Sequence, residues 1–467
     1  MILGSFSWFQ KQVGHNSPEE QEYIRAAKAQ FYTASNVPLP CNWKGVVFQP
    51  NFNFPKEKDE KEWTNPETHP WLKYNFKTEP EKYLQAVLDY CFDGNIVNDV
   101  EKCFDVSRNQ NNKKWWHAAW QHSGPSGRCS IHGGTLELPS QPGQISDNQK
   151  RVCQSYAIGF YNSPGAYIFN EIWKDPAHPN VDGNFGKGIL FPEGTVSFKL
   201  LFTQATEAEA PFLVGAPTWK AMVQEYPGTQ RADPSPKRIL GDVRLTQIDV
   251  AVKDSRFDSP TNWIFGSFIY DSSVQHANPW RRLIDIGLQW GSDSKRTLAD
   301  KDLPLQEGWL NPVAKNRIIT KTRPMVGFAN RLAGPVDAYQ SACLNCHAVA
   351  SFPSVKDMVP KVVDANRDLG NREQDYFFRN LMCGEIFDDN LSYYEPMPAQ
   401  QVHSLDYSMQ LQQGLNNFYV WRKAAFPNIA DSHVESFHVP GKRMDPQLAA
   451  KAKVMSGDIN HNHSQSS

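Results

Sequence analysis

Trp263-Ile-Phe-Gly-Ser-Phe-Ile-Tyr270 carries apolar residues at positions of both parities. A run of this length, rich in aromatic and β-branched residues, predicts a strand covered on both faces, central in a sheet. Working outward, Val243 to Val252 predicts a second strand. There Val243 and Leu245 share one parity while Ile248, Val250 and Val252 take the other, so a bulge is expected near Thr246–Gln247. Thr195 to Phe202 predicts a third strand. The Pro- and charge-rich stretch from Thr206 to Lys237 reads as an insertion or long loop.

Helical periodicity flanks these strands. In His15-Asn-Ser17-Pro18-Glu19-Glu20, Ser17 is a cap, Pro18 the first helical residue and Glu20 the closing member of a capping box. That helix should run to about Tyr32. Pro80 to Cys91 predicts another, with Tyr83, Leu84, Val87, Leu88 and Cys91 on one face. A third is expected from about Ser404 to Arg422, carrying Leu405, Met409, Leu415, Phe418 and Trp421. Asn36 to Thr78 reads as irregular, and Asn109 to Gln149 as loops with short strands. The expected fold class is α+β: an N-terminal extension over 1–185, an antiparallel β-sheet domain over 186–380, a helical segment over 381–455 and a polar tail over 456–467.

Composition narrows the function classes. Apolar residues make up 40% of the 467 and charged residues 21%, which is ordinary for a globular protein with ample core. A formal net charge of −2 gives no electrostatic footprint for nucleic acid. No apolar run reaches the roughly 20 residues of a membrane helix, so no transmembrane segment is expected. Fourteen Trp and 27 Phe suit either a β-rich core or the walls of a pocket for a flat apolar ligand.

The most specific chemistry lies in Cys343-Leu-Asn-Cys346-His347. Two thiols at this spacing can add to the two vinyl groups of one porphyrin, and the next histidine places its imidazole under the iron. The spacing predicts one covalently attached haem c, with His347 as proximal ligand. A zinc site would need a second Cys/His pair at similar spacing, and a redox dithiol a βαβ context; neither is present. The sixth iron position decides the chemistry. Glu395-Pro-Met397-Pro398 looks like an axial-methionine loop; Met358 and Met382 are weaker candidates, and His117, His122 or His132 could reach across. The remaining six cysteines fit up to three disulfides or six buried thiols, with Cys129 and Cys153 the favoured pair. Thioether attachment is normally extracytoplasmic, so the periplasm is the expected compartment. The opening Met-Ile-Leu-Gly-Ser-Phe-Ser-Trp-Phe-Gln-Lys lacks the basic start of a signal peptide.

Several blocks together resemble a known family. They are Phe191-Pro-Glu-Gly-Thr-Val-Ser-Phe-Lys199, Ile248-Asp-Val-Ala-Val-Lys253-Asp254-Ser-Arg256-Phe257, Asn262-Trp263-Ile-Phe265-Gly-Ser-Phe268, the haem motif, and Asp375-Tyr-Phe-Phe378-Arg379. In that order they look like the hydroxylamine-oxidising c-type cytochromes with a lysine–haem cross-link (cytochrome P-four-sixty type) and their cytochrome c-prime-beta relatives, over about residues 187–380. The resemblance implies a haem lying against an antiparallel sheet with an aromatic-lined, open distal face. It implies that Phe198, Trp263, Phe378 and Arg379 contact the haem, and it places Lys199 on the cross-linking lysine. An amine must be neutral to attack the macrocycle, which needs burial to lower its pKa; otherwise Lys199 is a strand lysine reaching solvent or a propionate. One departure is the apolar stretch Ala348-Val-Ala-Ser-Phe352-Pro-Ser, where the oxidising members place a carboxylate; the first acid here is Asp357. That apolar stretch resembles the gas-binding branch more.

Three functions follow as expectations. The first is electron transfer to a redox partner protein, with Met397 or a histidine closing the iron. The second is small-molecule chemistry at an open iron: nitric oxide binding, hydroxylamine oxidation or peroxide reduction. The third is a haem used as a structural or sensing element.

Overall fold

Strand pairing accounts for most of the architecture. In a computed structural model, residues 17–33, 51–95, 114–121, 134–182, 188–225, 227, 238–354, 368–382 and 402–429 are described. The fold is α+β. Eight strands form one antiparallel sheet: β1 (Gly134–Leu136), β2 (Ser155–Tyr161), β3 (Val196–Thr203), β4 (Thr218–Gln224), β5 (Arg238–Lys253), β6 (Trp263–Tyr270), β7 (Leu283–Gln289) and β8 (Gly308–Leu310). The order is β1-β2-β3-β5-β6-β7-β8, with β4 beside the first half of β5. Two short strands, β9 (Ser351–Phe352) and β10 (His403–Ser404), pair with each other.

The expected strand at 263–270 is β6, buried at every position and flanked by β5 and β7. The parity switch in β5 is a bulge: Leu201 pairs with Gln247 while Phe202 pairs with Leu245, leaving Thr246 as the extra residue. Its effect is to put Val243, Leu245, Ile248, Val250 and Val252 into one apolar cluster. That cluster covers one face of the sheet. It includes Phe160, Phe198, Leu200 and Phe202, and is closed by α3 (Pro80–Phe92) through Tyr83, Leu84, Val87, Leu88 and Cys91. Burying one such large apolar side chain stabilises by about 1.5–3 kcal/mol, which holds a 13-residue helix too short to be stable by itself.

The opposite face packs against α1 (Pro18–Thr33), α4 (Ser163–Trp173), α6 (Cys343–Ala348) and α8 (Met409–Ala425). The remaining helices, α2 (Glu60–Trp63), α5 (Pro312–Ile318) and α7 (Asn371–Phe377), are short. Helix α1 begins as its capping box predicts, with the Glu20 amide donating to Ser17 Oγ at 3.2 Å. No helix among the described residues is long and apolar enough to cross a membrane.

Four expectations are corrected. The stretch 206–237 holds a strand, β4, whose Trp219, Ala221 and Val223 alternate into the core. The boundary drawn at 185/186 does not divide the sheet, because β1 and β2 belong to it and β2 pairs along its whole length with β3. The C-terminal helix starts at Met409 rather than Ser404, because Ser408 caps it by accepting from the Leu411 amide at 3.2 Å. Cys153 is a buried thiol whose Sγ donates to Arg151 O at 3.8 Å, so it is not bridged to Cys129. Cys129 and the tail over 456–467 lie outside the described residues.

Candidate functional site

Residues i, i+3 and i+4 share one face of a helix, and Cys343, Cys346 and His347 stand in that relation on α6. Those three are part-exposed, whereas Leu344, Asn345 and Ala348 are buried. Leu344 anchors the helix in the apolar cluster and Asn345 donates to Ser292 Oγ at 2.8 Å. The loop leading in is shaped by two buried guanidinium groups. Arg331 donates to the carbonyls of Ser292 (2.8 Å), Phe328 (3.1 Å), Asp293 (2.7 Å) and Arg296 (2.9 Å). Arg323 donates to those of Met325 (3.3 Å) and Pro335 (2.6 Å).

His347 lies against the Phe265 ring, with centroids 4.9 Å apart. Its Nδ1 is 2.9 Å from the Tyr407 carbonyl. A carbonyl oxygen only accepts, so Nδ1 carries the hydrogen and Nε2 carries the lone pair. Burial, reinforced by the nearby Lys199 charge, pushes the imidazole pKa down to about 4. The ring is therefore neutral at neutral pH, the form in which an imidazole binds a metal.

Next to the motif, the sheet presents a polar row. Lys199 on β3 pairs in register with Gly159 on β2 and Asp249 on β5, and Asp249 pairs with Ser267 on β6. Lys199 Nζ is 3.5 Å from Glu137 Oε2. Asp249 accepts from Ser267 Oγ at 2.6 Å and from Gln247 Nε2 at 2.7 and 2.9 Å. The same Gln247 nitrogen donates to Asp337 Oδ2 at 2.8 Å, and that oxygen is 3.9 Å from Cys343 Sγ. Gly334 is needed for this approach, since a Cβ there would sit 2.1 Å from the Gln247 side chain. Burial, then Asp337, pushes the Asp249 carboxyl up to about 7, against the pull of Lys199. Burial and both carboxylates hold the Cys343 thiol well above its ordinary value, so it stays protonated. Small residues at Gly159, Ser197, Ala251 and Ser267 share this face with Lys199, and Gln410 of α8 packs closely over Gly159.

The structure brings Cys343, Cys346, His347 and Lys199 to one side of the sheet. It does not bring Phe198 with them. Adjacent strand residues point to opposite faces, and Phe198 is buried between Trp115 and Phe160 in the α3-side core. Of the two readings of Lys199, only the cross-linking one needs a neutral amine. Burial opposes its charge, but Glu137, Asp249 and Asp337 outweigh that and hold its pKa above the ordinary lysine value. A protonated amine has no lone pair for attack. Trp263 is on the motif's side, but its Nε1 donates to Asp406 Oδ1 at 3.0 Å. Phe378 stacks on Phe328, with centroids 5.2 Å apart, and Arg331 lies 4.0 Å over its ring. The Arg379 carbonyl accepts from Ser292 Oγ at 3.0 Å. These two residues thus support the wall behind α6.

Among the candidate sixth ligands, His117 belongs to the other face, 4.8 Å from Phe160, with Nδ1 accepting from the Asn51 amide at 3.1 Å. Met382 is exposed. Met397, Met358, His122 and His132 lie outside the described residues. Sequence reading missed Glu137, Asp249, Asp337 and Gln247. Asp249 had a weak signal, an acid set between Ile248 and Val250 in the apolar second half of β5; Asp337 had none. The acids near the motif come from strands and the preceding loop, which is why the apolar stretch after the motif was a poor guide to the site's polarity.

Comparisons add no relative: no family model matches the chain, and neither a curated protein nor a solved structure matches it.

Proposed function

We propose that the chain is a mono-haem c-type cytochrome. On this reading Cys343 and Cys346 hold the haem through thioethers and His347 is its axial ligand. What carries the reading is the presentation of all three on one part-exposed helix face, with Nδ1 of His347 committed to the Tyr407 carbonyl. Histidines that bind metals characteristically donate the other ring N–H in this way. When bound, the haem supplies one-electron redox chemistry. The chain's own part is to orient the imidazole through Tyr407, cover its edge with Phe265 and keep water off the attachment helix with the Leu344 cluster. Electron transfer with a protein partner, in an extracytoplasmic compartment, is the activity proposed.

The test is the intact mass and spectrum of the full chain expressed in a host that attaches haem c. One added haem, lost when either Cys343→Ser or Cys346→Ser removes a thioether and His347 is also replaced by Ala, is the expected result. A wild-type chain weighing no more than its amino acids would end the proposal.

A second reading, small-molecule chemistry in the manner of the resembled family, draws support from Asp249. A carboxyl that titrates near neutrality beside Lys199 and Asp337 can take and return protons at working pH. A ferrous spectrum that changes on adding carbon monoxide favours it; an indifferent low-spin spectrum favours electron transfer.

A further inference from the structure

Asp406 is fully buried and receives four hydrogen bonds. Lys253 Nζ donates to its two oxygens at 3.1 and 2.8 Å, Trp263 Nε1 donates to Oδ1 at 3.0 Å, and the Phe191 amide donates to Oδ2 at 2.8 Å. The donors come from the end of β5, the start of β6 and the segment before β3, so this carboxylate ties one turn to three parts of the sheet. The turn itself is unusual. Asp406 and Tyr407 have φ of 44° and 69°, a left-handed conformation that L side chains with a Cβ rarely adopt. Two in succession persist only where the surroundings over-determine them. The second of them, Tyr407, offers its carbonyl to His347 Nδ1.

A buried ion pair is a poor choice for stability alone, since an apolar pair of similar volume usually holds a chain as well. Charge-assisted hydrogen bonds differ from apolar contacts in fixing direction. We infer that Asp406, clamped by Lys253 and Trp263, is a positioning residue for His347: it aims the Tyr407 carbonyl at Nδ1 and so sets the imidazole's tautomer and the electron density at Nε2. This deepens the proposed function and rests on it for the consequence at the iron. A firmly held Nδ1–H···O=C bond makes the imidazole a stronger donor, which favours the ferric state and lowers the reduction potential.

The experiment uses the full chain with Trp263→Phe, Lys253→Met and Asp406→Asn, which remove one donor, the cation and the carboxylate charge in turn. In haem-loaded protein the midpoint potential should rise stepwise along that series, and Lys253→Arg should return it towards wild type. In the polypeptide made without haem, the His347 Nδ1–H, observed by nitrogen-15 NMR, should exchange faster in the same order. Should Asp406→Asn fail to fold, the two milder variants carry the test. Folded variants whose potential and Nδ1–H exchange both match wild type would overturn the inference. A wild-type chain that takes up no haem would instead end the proposed function, and the NMR series would still read the positioning role.

Discussion

His117 offers a sharp test of which histidines are structural. It is 3% exposed, its ring packs on Phe160, and Nδ1 accepts from the Asn51 amide. Burial pushes its pKa from 6.5 down to about 3. As pH falls below 6.5 the unfolded chain takes up a proton that the folded chain refuses, so stability is lost progressively until about pH 3. One pKa unit corresponds to 1.36 kcal/mol, so the loss at pH 4 is about 3 kcal/mol. His117→Gln keeps a side-chain acceptor for the Asn51 amide and abolishes the titration. Whatever its offset at pH 7, the variant should gain about 3 kcal/mol on wild type between pH 7 and pH 4, read from urea unfolding across that range. If the proposed haem is loaded, its spectrum should be unchanged, because His117 lies on the face of the sheet away from His347. Parallel pH profiles would refute the assigned burial effect, and an altered spectrum would refute the assigned face.

Asp285 runs the opposite way. Burial raises its carboxyl to about 7 despite the hydrogen bond from Gln85, so the folded chain keeps a proton that the unfolded chain has released. Stability is therefore lost as pH rises from about 4 to 7, and Asp285→Asn should be more stable than wild type at pH 8 by a few kcal/mol, on the order of 4 at most; unfolding at pH 4 and 8 checks the sign. Arg331→Met takes one donor from each of four buried carbonyls, of which those of Phe328, Asp293 and Arg296 keep a second, and should cost about 1–3 kcal/mol, with faster hydrogen exchange over residues 292–296. Gly188 has φ of 123° and a Cβ there would meet Ser404 O at 2.1 Å. Gly188→Ala should thus push β10 off its neighbour and lower the melting temperature, by several degrees for a cost of about 1–3 kcal/mol.

Local pattern reached a long way into the fold. The runs at 195–202, 243–252 and 263–270 were legible because strand side chains alternate with period 2, and the bulge because one extra residue inverts that parity. Ser17-Pro18-x-Glu20 and the apolar face of 80–91 were legible because capping and helical spacing are both local. The grouping of Cys343, Cys346 and His347 was also legible from their spacing, but the helix that carries them, α6, was not read from it. β4 was not, because its short alternation sits within a charged, Pro-rich context that a linear reading weighs as loop. Nor were the partners of the motif. Glu137, Lys199, Asp249 and Asp337 are separated by up to 200 positions and meet through strand register and the loop before α6, and the Tyr407 carbonyl that reaches His347 lies 60 positions away beside the Lys253–Asp406 pair. The sequence by itself determined which residues are chemically competent, since spacing along a chain of known geometry is a local property. Tertiary structure alone decided their electrostatic surroundings, because charge, burial and hydrogen-bond direction depend on which distant segments share a sheet face.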